Sequence, residues 1–175
     1  MKLWLIRHTQ VNVAPGICYG QTDVDVAETS ENEAQVIKKQ IENTTFDKVY
    51  SSPLIRCKKL AQYLFNTNIK YDARLRELNF GEWEMQAWDK IQHPDLNKWM
   101  IDFVNTPCPG GESFVDLHNR VHSFLSDLKK ENHSQVLIIS HGGTIRSILS
   151  HIQNIPLKDS FKMSVKYGDV TKIDL

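Results

Sequence analysis

The stretch Leu3-Trp4-Leu5-Ile6 constrains this chain more than any other, because four consecutive apolar residues run directly into Arg7-His8-Thr9. A strand with one wet face alternates apolar and polar residues. An unbroken run this short suits a strand buried on both faces, as in a parallel sheet covered by helices on each side. A second run, Val136-Leu137-Ile138-Ile139-Ser140, ends in His141-Gly142-Gly143-Thr144. In open α/β sheets ligands sit just beyond the carboxyl ends of the strands. Both runs therefore deliver charged or titratable residues to the place where a ligand is expected.

Between these runs, strand and helix patterns alternate. Ser30 and Glu33 read as a capping box, followed by an apolar stripe of Ala34, Ile37 and Ile41. Lys48-Val49-Tyr50 is a short strand that turns through Ser51-Ser52-Pro53, with the proline in the first turn of the next helix. Cys57, Leu60, Ala61 and Leu64 face the core from that helix, and Arg56 lies in its first turn. Ile69-Lys70-Tyr71 fits an edge strand. The segment from about 79 to 108 reads as short helices broken at His93-Pro94, a small inserted cap carrying Trp83, Trp88 and Trp99. Ser113 and Asp116 form a second capping box before a helix with Phe114, Leu117, Val121, Phe124, Leu125 and Leu128 inward. Near the end, Phe161, Met163, Val165 and Tyr167 alternate with polar residues before Gly168-Asp169. This predicts a hairpin returning through Val170 to Leu175. The expected fold is a single three-layer α/β/α domain over residues 1–175, with a mostly parallel central sheet, an antiparallel edge strand and the helical cap.

Composition narrows the function. The chain has 21 Lys+Arg against 21 Asp+Glu, so no overall field favours nucleic acid or a membrane surface, and an anion site must be built locally. Cys18, Cys57 and Cys108 are odd in number and widely spaced, which supports neither a disulfide framework nor a zinc site. No signal-peptide pattern and no spanning apolar run is visible, so a reducing cytoplasm is the expected compartment. With neither a P-loop nor an acidic metal cluster, no metal or nucleotide cofactor is implied. No motif speaks to oligomeric state.

In a parallel sheet three strand ends would converge: Arg7-His8, Ser51-Ser52 with Arg56, and His141-Gly142-Gly143. Two guanidiniums suit the oxygens of a phosphate dianion. One neutral imidazole can attack phosphorus, and a second can stabilise charge on the transferring oxygens. Glu77, at the turn that begins the cap, fits the acid needed by a leaving alcohol. Glu112 is a second candidate by the same logic, although a helix N-terminus also attracts carboxylates for structural reasons.

Five blocks, Leu5-Ile6-Arg7-His8-Thr9, Ser51-Ser52-Pro53-Leu54-Ile55-Arg56, Arg76 to Glu84, Pro109-Gly110-Gly111-Glu112-Ser113 and Ser140-His141-Gly142-Gly143, occur in the order seen in the histidine phosphatase superfamily, which the chain resembles over its whole length. The resemblance implies His8 as the phosphorylated nucleophile, with Arg7, Arg56 and His141 completing the phosphate pocket. It implies Glu77 as proton donor and then as base for water. Thr9 and Gly142 become substrate-binding positions with them. Two departures stand out. Many members have Gly after the nucleophile and Asn six residues beyond it, where this chain has Thr9 and Ala14; Asn12 is the nearest replacement.

The Cys18-to-Asp23 loop, the Phe80-to-Trp83 segment and the Pro109-to-Ser113 turn most resemble alpha-ribazole phosphatases. That resemblance implies a small phosphomonoester substrate, alpha-ribazole 5′-phosphate, processed in cobalamin nucleotide-loop assembly. Phe80 and Trp83 would then offer aromatic faces to its flat base. A generalist small-molecule phosphatase, a phosphoglycerate-type mutase and a non-catalytic phosphate-binding module are the alternatives. The short cap argues against the mutase, and the intact site residues argue against the binding module.

Overall fold

The computed structural model describes residues 1–175. Its elements follow in the order β1 Lys2–Arg7, α1 Ser30–Ile41, β2 Lys48–Ser51, α2 Ile55–Leu64, β3 Ile69–Tyr71, α3 Leu96–Ile101, α4 Phe114–Leu128, β4 Gln135–Ser140, α5 Gly142–Gln153 and β5 Val170–Asp174. The five strands form one sheet in the order β3-β2-β4-β1-β5. All neighbours run parallel except β5, which lies antiparallel against β1. No helix is long and apolar enough to cross a membrane.

Alternation along the two apolar strands creates the layers. Leu3 and Leu5 of β1, with Val136 and Ile138 of β4, join a core made with α4 and α5. Trp4, Ile6, Leu137 and Ile139 point the other way and join a second core with α1 and α2. Because successive side chains leave opposite faces, only a strand apolar at every position can serve both cores. Each of these side chains stabilises the fold by about 1.5–3 kcal/mol relative to exposure. The parallel arrangement brings the ends of β1, β2 and β4 to one edge, as the sequence predicts.

Four details of the expectation are corrected. α1 starts one residue earlier than the Ser30 box implies. Its N-cap is Thr29, whose hydroxyl donates to Glu33 Oε1 (2.7 Å), while Glu33 Oε2 accepts the Gln10 N–H (2.9 Å) and so ties down the loop after β1. α2 begins at Ile55, beyond Pro53, because Asp23 reaches across from another loop to accept the Ile55 N–H (2.6 Å). The cap is no separate layer: Trp83, Ile91, Trp99 and Cys108 belong to the larger core.

The terminal hairpin is absent, since only Val170–Asp174 is a strand and it pairs with β1. Carbonyls at 163 and 165 are drawn away from any ladder by two arginines, with Arg7 Nη1 donating to Val165 O (2.7 Å) and Arg146 Nε to Met163 O (3.0 Å). Gly168, at φ +72°, bends the chain so that its N–H meets the carbonyls of Arg7 and His8 (both 3.2 Å).

Candidate active site

Arg7, His8, Arg56 and His141 are brought together at the carboxyl edge of the sheet. His8, Arg56 and His141 are fully buried, and the two imidazoles lie 5.1 Å apart edge to face. His8 Nδ1 lies 2.7 Å from the carbonyl of Thr9. A carbonyl only accepts, so Nδ1 carries the proton and the Nε2 lone pair is left free. This carbonyl is what buried Thr9 contributes to His8.

His141 is arranged differently. Its Nδ1 accepts from Arg56 Nε (3.3 Å), and its Nε2–H donates to Ser52 Oγ (2.7 Å). Arg56 also donates to the carbonyls of Thr22 (3.0 Å) and Gly20 (2.6 Å), which leaves two of its five N–H groups uncommitted. The 19–23 loop is held in turn by Glu84, whose carboxylate accepts the N–H groups of Gln21 (2.8 Å) and Thr22 (2.7 Å). Gly20 is required at this turn: its φ is +40°, and a Cβ would stand 2.2 Å from Glu84 Oε1.

Arg7 presents a buried Nε with no hydrogen-bond partner. Buried donors are rarely left unpaired, and an anion's oxygen would satisfy this one. Its guanidinium packs beside Gly142, where a Cβ would come 3.4 Å from Arg7 Cζ and 3.0 Å from Arg146 Nη1. Gly142 thus gives two guanidiniums room to approach the first turn of α5, whose N–H groups lack partners within the helix.

Burial, followed by the charges of Arg56 and Arg7, holds His8 well below the ordinary imidazole value of 6.5. His141 is lowered in the same way, first by burial and then by Arg56. Both rings are neutral in the folded protein, the form a nucleophile requires. Protonation favours the unfolded chain, so their contribution to stability is complete above pH 6.5 and drains away as the pH falls below it. In an NMR titration from about pH 7.5 to about pH 5.5 both imidazoles should keep the shifts of neutral rings. A midpoint at the ordinary value in either would show a solvated histidine.

Glu77 is carried by the 75–77 turn, whose carbonyls are each held from another element. Ser140 Oγ donates to Leu75 O (2.8 Å), Thr144 Oγ1 to Arg76 O (2.7 Å) and Gln21 Nε2 to Glu77 O (2.9 Å). Arg120 of α4 adds bonds to the carbonyls of Arg74 and Arg76 (both 2.7 Å) and Glu77 (2.8 Å). The half-buried Glu77 carboxylate accepts from Leu78 N (2.9 Å) and from Gly143 N (3.0 Å), two residues past His141. A Cβ at Gly143 would lie 2.4 Å from Glu77 Oε1, so glycine there is the condition for this close approach.

Glu112 is placed otherwise. Arg120 grips both its oxygens (2.8 and 2.9 Å), and Glu112 Oε2 also accepts the Asn79 N–H (3.0 Å). These three bonds make it an anchor between α4 and the start of the cap. Asn12 is exposed and is fixed through its backbone N–H to the Asp25 carbonyl (2.8 Å).

The aromatic platform is also corrected. Trp83 is 1% exposed among Trp88, Trp99 and His93, so its surface is taken up by protein. Phe80 is half-buried and packs edge-on against Trp88 (5.3 Å) and Trp99 (6.0 Å). The aromatic faces next to Arg7, His8 and Arg56 belong to two tyrosines that the sequence did not mark as site residues. Tyr167 lies over Arg7 (3.9 Å) and beside His8 (5.5 Å), and Tyr19 lies over Arg56 (5.1 Å). Arg146 was missed as well, although a signal existed: it follows Gly142 by one helical turn and shares its face. Tyr167 sits in the segment that mimics a strand, so nothing marked it.

Known proteins share both the sequence pattern and the fold. A model of the histidine phosphatase superfamily (branch 1) matches residues 3–175. The chain is 31% identical to a Hydrogenobacter thermophilus protein named "Putative phosphoserine phosphatase 2", over 99% of this chain and 89% of that relative. It is 29% identical to the adenosylcobalamin/alpha-ribazole phosphatase of Salmonella typhimurium, over 100% of this chain and 91% of that one. Its fold superposes on the alpha-ribazole phosphatase of Shigella flexneri with a TM-score of 0.92 at 24% identity, covering 100% and 91% of the two chains.

Proposed function

The chain belongs to the histidine phosphatase superfamily, and on that premise we propose that it hydrolyses a small phosphomonoester through a phosphohistidine formed on His8 Nε2, without a metal. One observation carries the reading: His8 offers a neutral imidazole with a free Nε2 in a buried pocket between Arg7 and Arg56. The substrate phosphate takes the spare donors of both guanidiniums. Attack by Nε2 forms the N–P bond as the P–O bond to the alcohol breaks. Glu77 gives the departing alkoxide its proton. Water, deprotonated by Glu77, then displaces His8 and releases inorganic phosphate. The arginines stabilise the charge that spreads over the transferring oxygens, and His141 joins them by turning its Nε2–H from Ser52 to the phosphate.

For the substrate we propose alpha-ribazole 5′-phosphate or its cobalamin-linked form, handled in the cytoplasm during nucleotide-loop assembly. The 29% relative and the Cys18-to-Asp23 loop, which anchors Arg56, support it. Phosphoserine is the second reading, favoured by the name of the 31% relative. Comparing kcat/KM for alpha-ribazole 5′-phosphate, phosphoserine, 3-phosphoglycerate and nucleoside monophosphates tests both, with chelator present. Preference for alpha-ribazole phosphate by about tenfold or more is expected. Equal rates on all would leave a generalist phosphatase, and turnover that needs added metal would overturn the mechanism.

A further inference from the structure

Three of the four residues that meet phosphate in this reading are inaccessible from solvent as they stand, with His8 at 1% exposure and Arg56 and His141 at 0%, while Arg7 is half-buried. Tyr19 and Tyr167 cover them. Their rings lie over Arg56 and Arg7 respectively, and their hydroxyls hydrogen-bond to each other at 2.8 Å. One ring comes from the loop after β1 and the other from the segment before β5, so a single hydrogen bond joins two otherwise separate stretches above the nucleophile.

Both rings also wall a pocket of about 200 Å³, completed by Val11, Val13, Pro15 and Ile17. None of its lining residues is charged. Its polar side chains are Gln10 and the two tyrosines, so an ammonium or carboxylate placed there would lose water without gaining a partner of opposite charge, whereas an apolar or aromatic group meets the Val11–Ile17 wall.

We propose that Tyr19 and Tyr167 are the specificity-determining residues of this site. Their hydrogen-bonded pair must part to admit the phosphate, and the substrate's alcohol, an uncharged group with apolar or aromatic surface, then lodges between their rings and the Val11–Ile17 wall. The proposal rests on the phosphatase reading for its substrate, but the roof itself is tested without turnover. A roof that must open lowers apparent affinity by the fraction of time it is open.

Inorganic phosphate binding, measured by calorimetry, is the first experiment. Tyr167→Phe and Tyr19→Phe each remove the bond and keep the ring, and each should bind phosphate about two- to tenfold more tightly than the parent. Because both break the same bond, the double variant should gain no more than either single one. In turnover, the single variants should lower KM by the same factor of about two to ten. Weaker phosphate binding in either variant would make the hydroxyls ligands of the anion and overturn the roof.

The second experiment tests the alcohol subsite with Ala14→Arg, a charge added at the exposed rim of the pocket. The parent should favour a phosphomonoester with an aromatic alcohol over phosphoserine by about tenfold or more in kcat/KM, and the variant should narrow that ratio. A parent that prefers phosphoserine, or a ratio that the arginine does not move, would refute the subsite. If the Phe variants tighten phosphate binding while no phosphomonoester is turned over, the roof stands and the phosphatase reading fails.

Discussion

Replacing His8 by alanine is expected to reduce phosphate release by a factor on the order of 10⁴ to 10⁶, the scale seen when a covalent nucleophile is removed. No neighbouring group can take over. His141 has both ring nitrogens engaged, one accepting from Arg56 and the other donating to Ser52, and Cys57, 3.6 Å from His141 Nε2, is a buried thiol pushed up to about 12 by that burial. The measurement is a quench of wild-type enzyme with labelled substrate, followed by peptide mapping. Acid-labile label should appear on His8 and be absent from the alanine variant. Label on His141, or activity retained in the variant, would reverse the two histidines' roles. The structure separates them on hydrogen bonds alone, since only His8 keeps a free lone pair.

Glu77→Gln carries the second large effect, and its size depends on the leaving group. A sugar alkoxide leaves with difficulty unless it is protonated as the P–O bond breaks, whereas nitrophenolate leaves unaided. General acid catalysis supplies about 10²- to 10⁴-fold, so an alkyl phosphate should lose that much while para-nitrophenyl phosphate still phosphorylates His8. Hydrolysis then stalls for want of a base, and a burst of nitrophenol with accumulated phosphohistidine is expected in rapid-mixing experiments. The variant has a structural cost as well. Both carboxylate oxygens accept backbone N–H groups, from Leu78 and Gly143, and a glutamine amide turns one of them into a donor facing a donor. Stability should fall by about 1–3 kcal/mol. Only loss of the acid makes the rate defect depend on the leaving group, so an equal loss on both substrates without a burst would remove Glu77 from the chemistry.

Much of the site was legible because its residues stand at the ends of strands whose apolar runs admit one arrangement. Leu3 to Ile6 and Val136 to Ile139 can be buried on both faces only in the middle of a covered sheet, and that placement brings Arg7-His8 and His141 side by side. Glu77 was legible from its place in a motif, but its rigidity was not: four residues of distant elements donate to the 75–77 carbonyls, and no local pattern records them. The residues from Phe161 to Tyr167 misled because alternation is necessary for a half-buried strand without being sufficient. Arg7 and Arg146 compete for the carbonyls at 163 and 165, and a charged donor outbids a ladder partner. Trp83 misled for a related reason. Aromatic side chains are equally suited to core and to ligand, and only packing decides between them.

The sheet order bears on how the protein is made. β1 is made before the other strands of its sheet, yet its two partners, β4 and β5, lie about 130 and about 165 residues further along the chain. At ordinary rates of synthesis, Leu3-Trp4-Leu5-Ile6 waits on the order of ten seconds before either neighbour exists. In that interval a short, uncharged, strongly β-forming segment is exposed to every other nascent chain, which is the condition for chaperone capture or edge-to-edge aggregation. His8 is attached to that segment, so it is made before Arg56, Glu77 and His141 and cannot be seated until β4 exists.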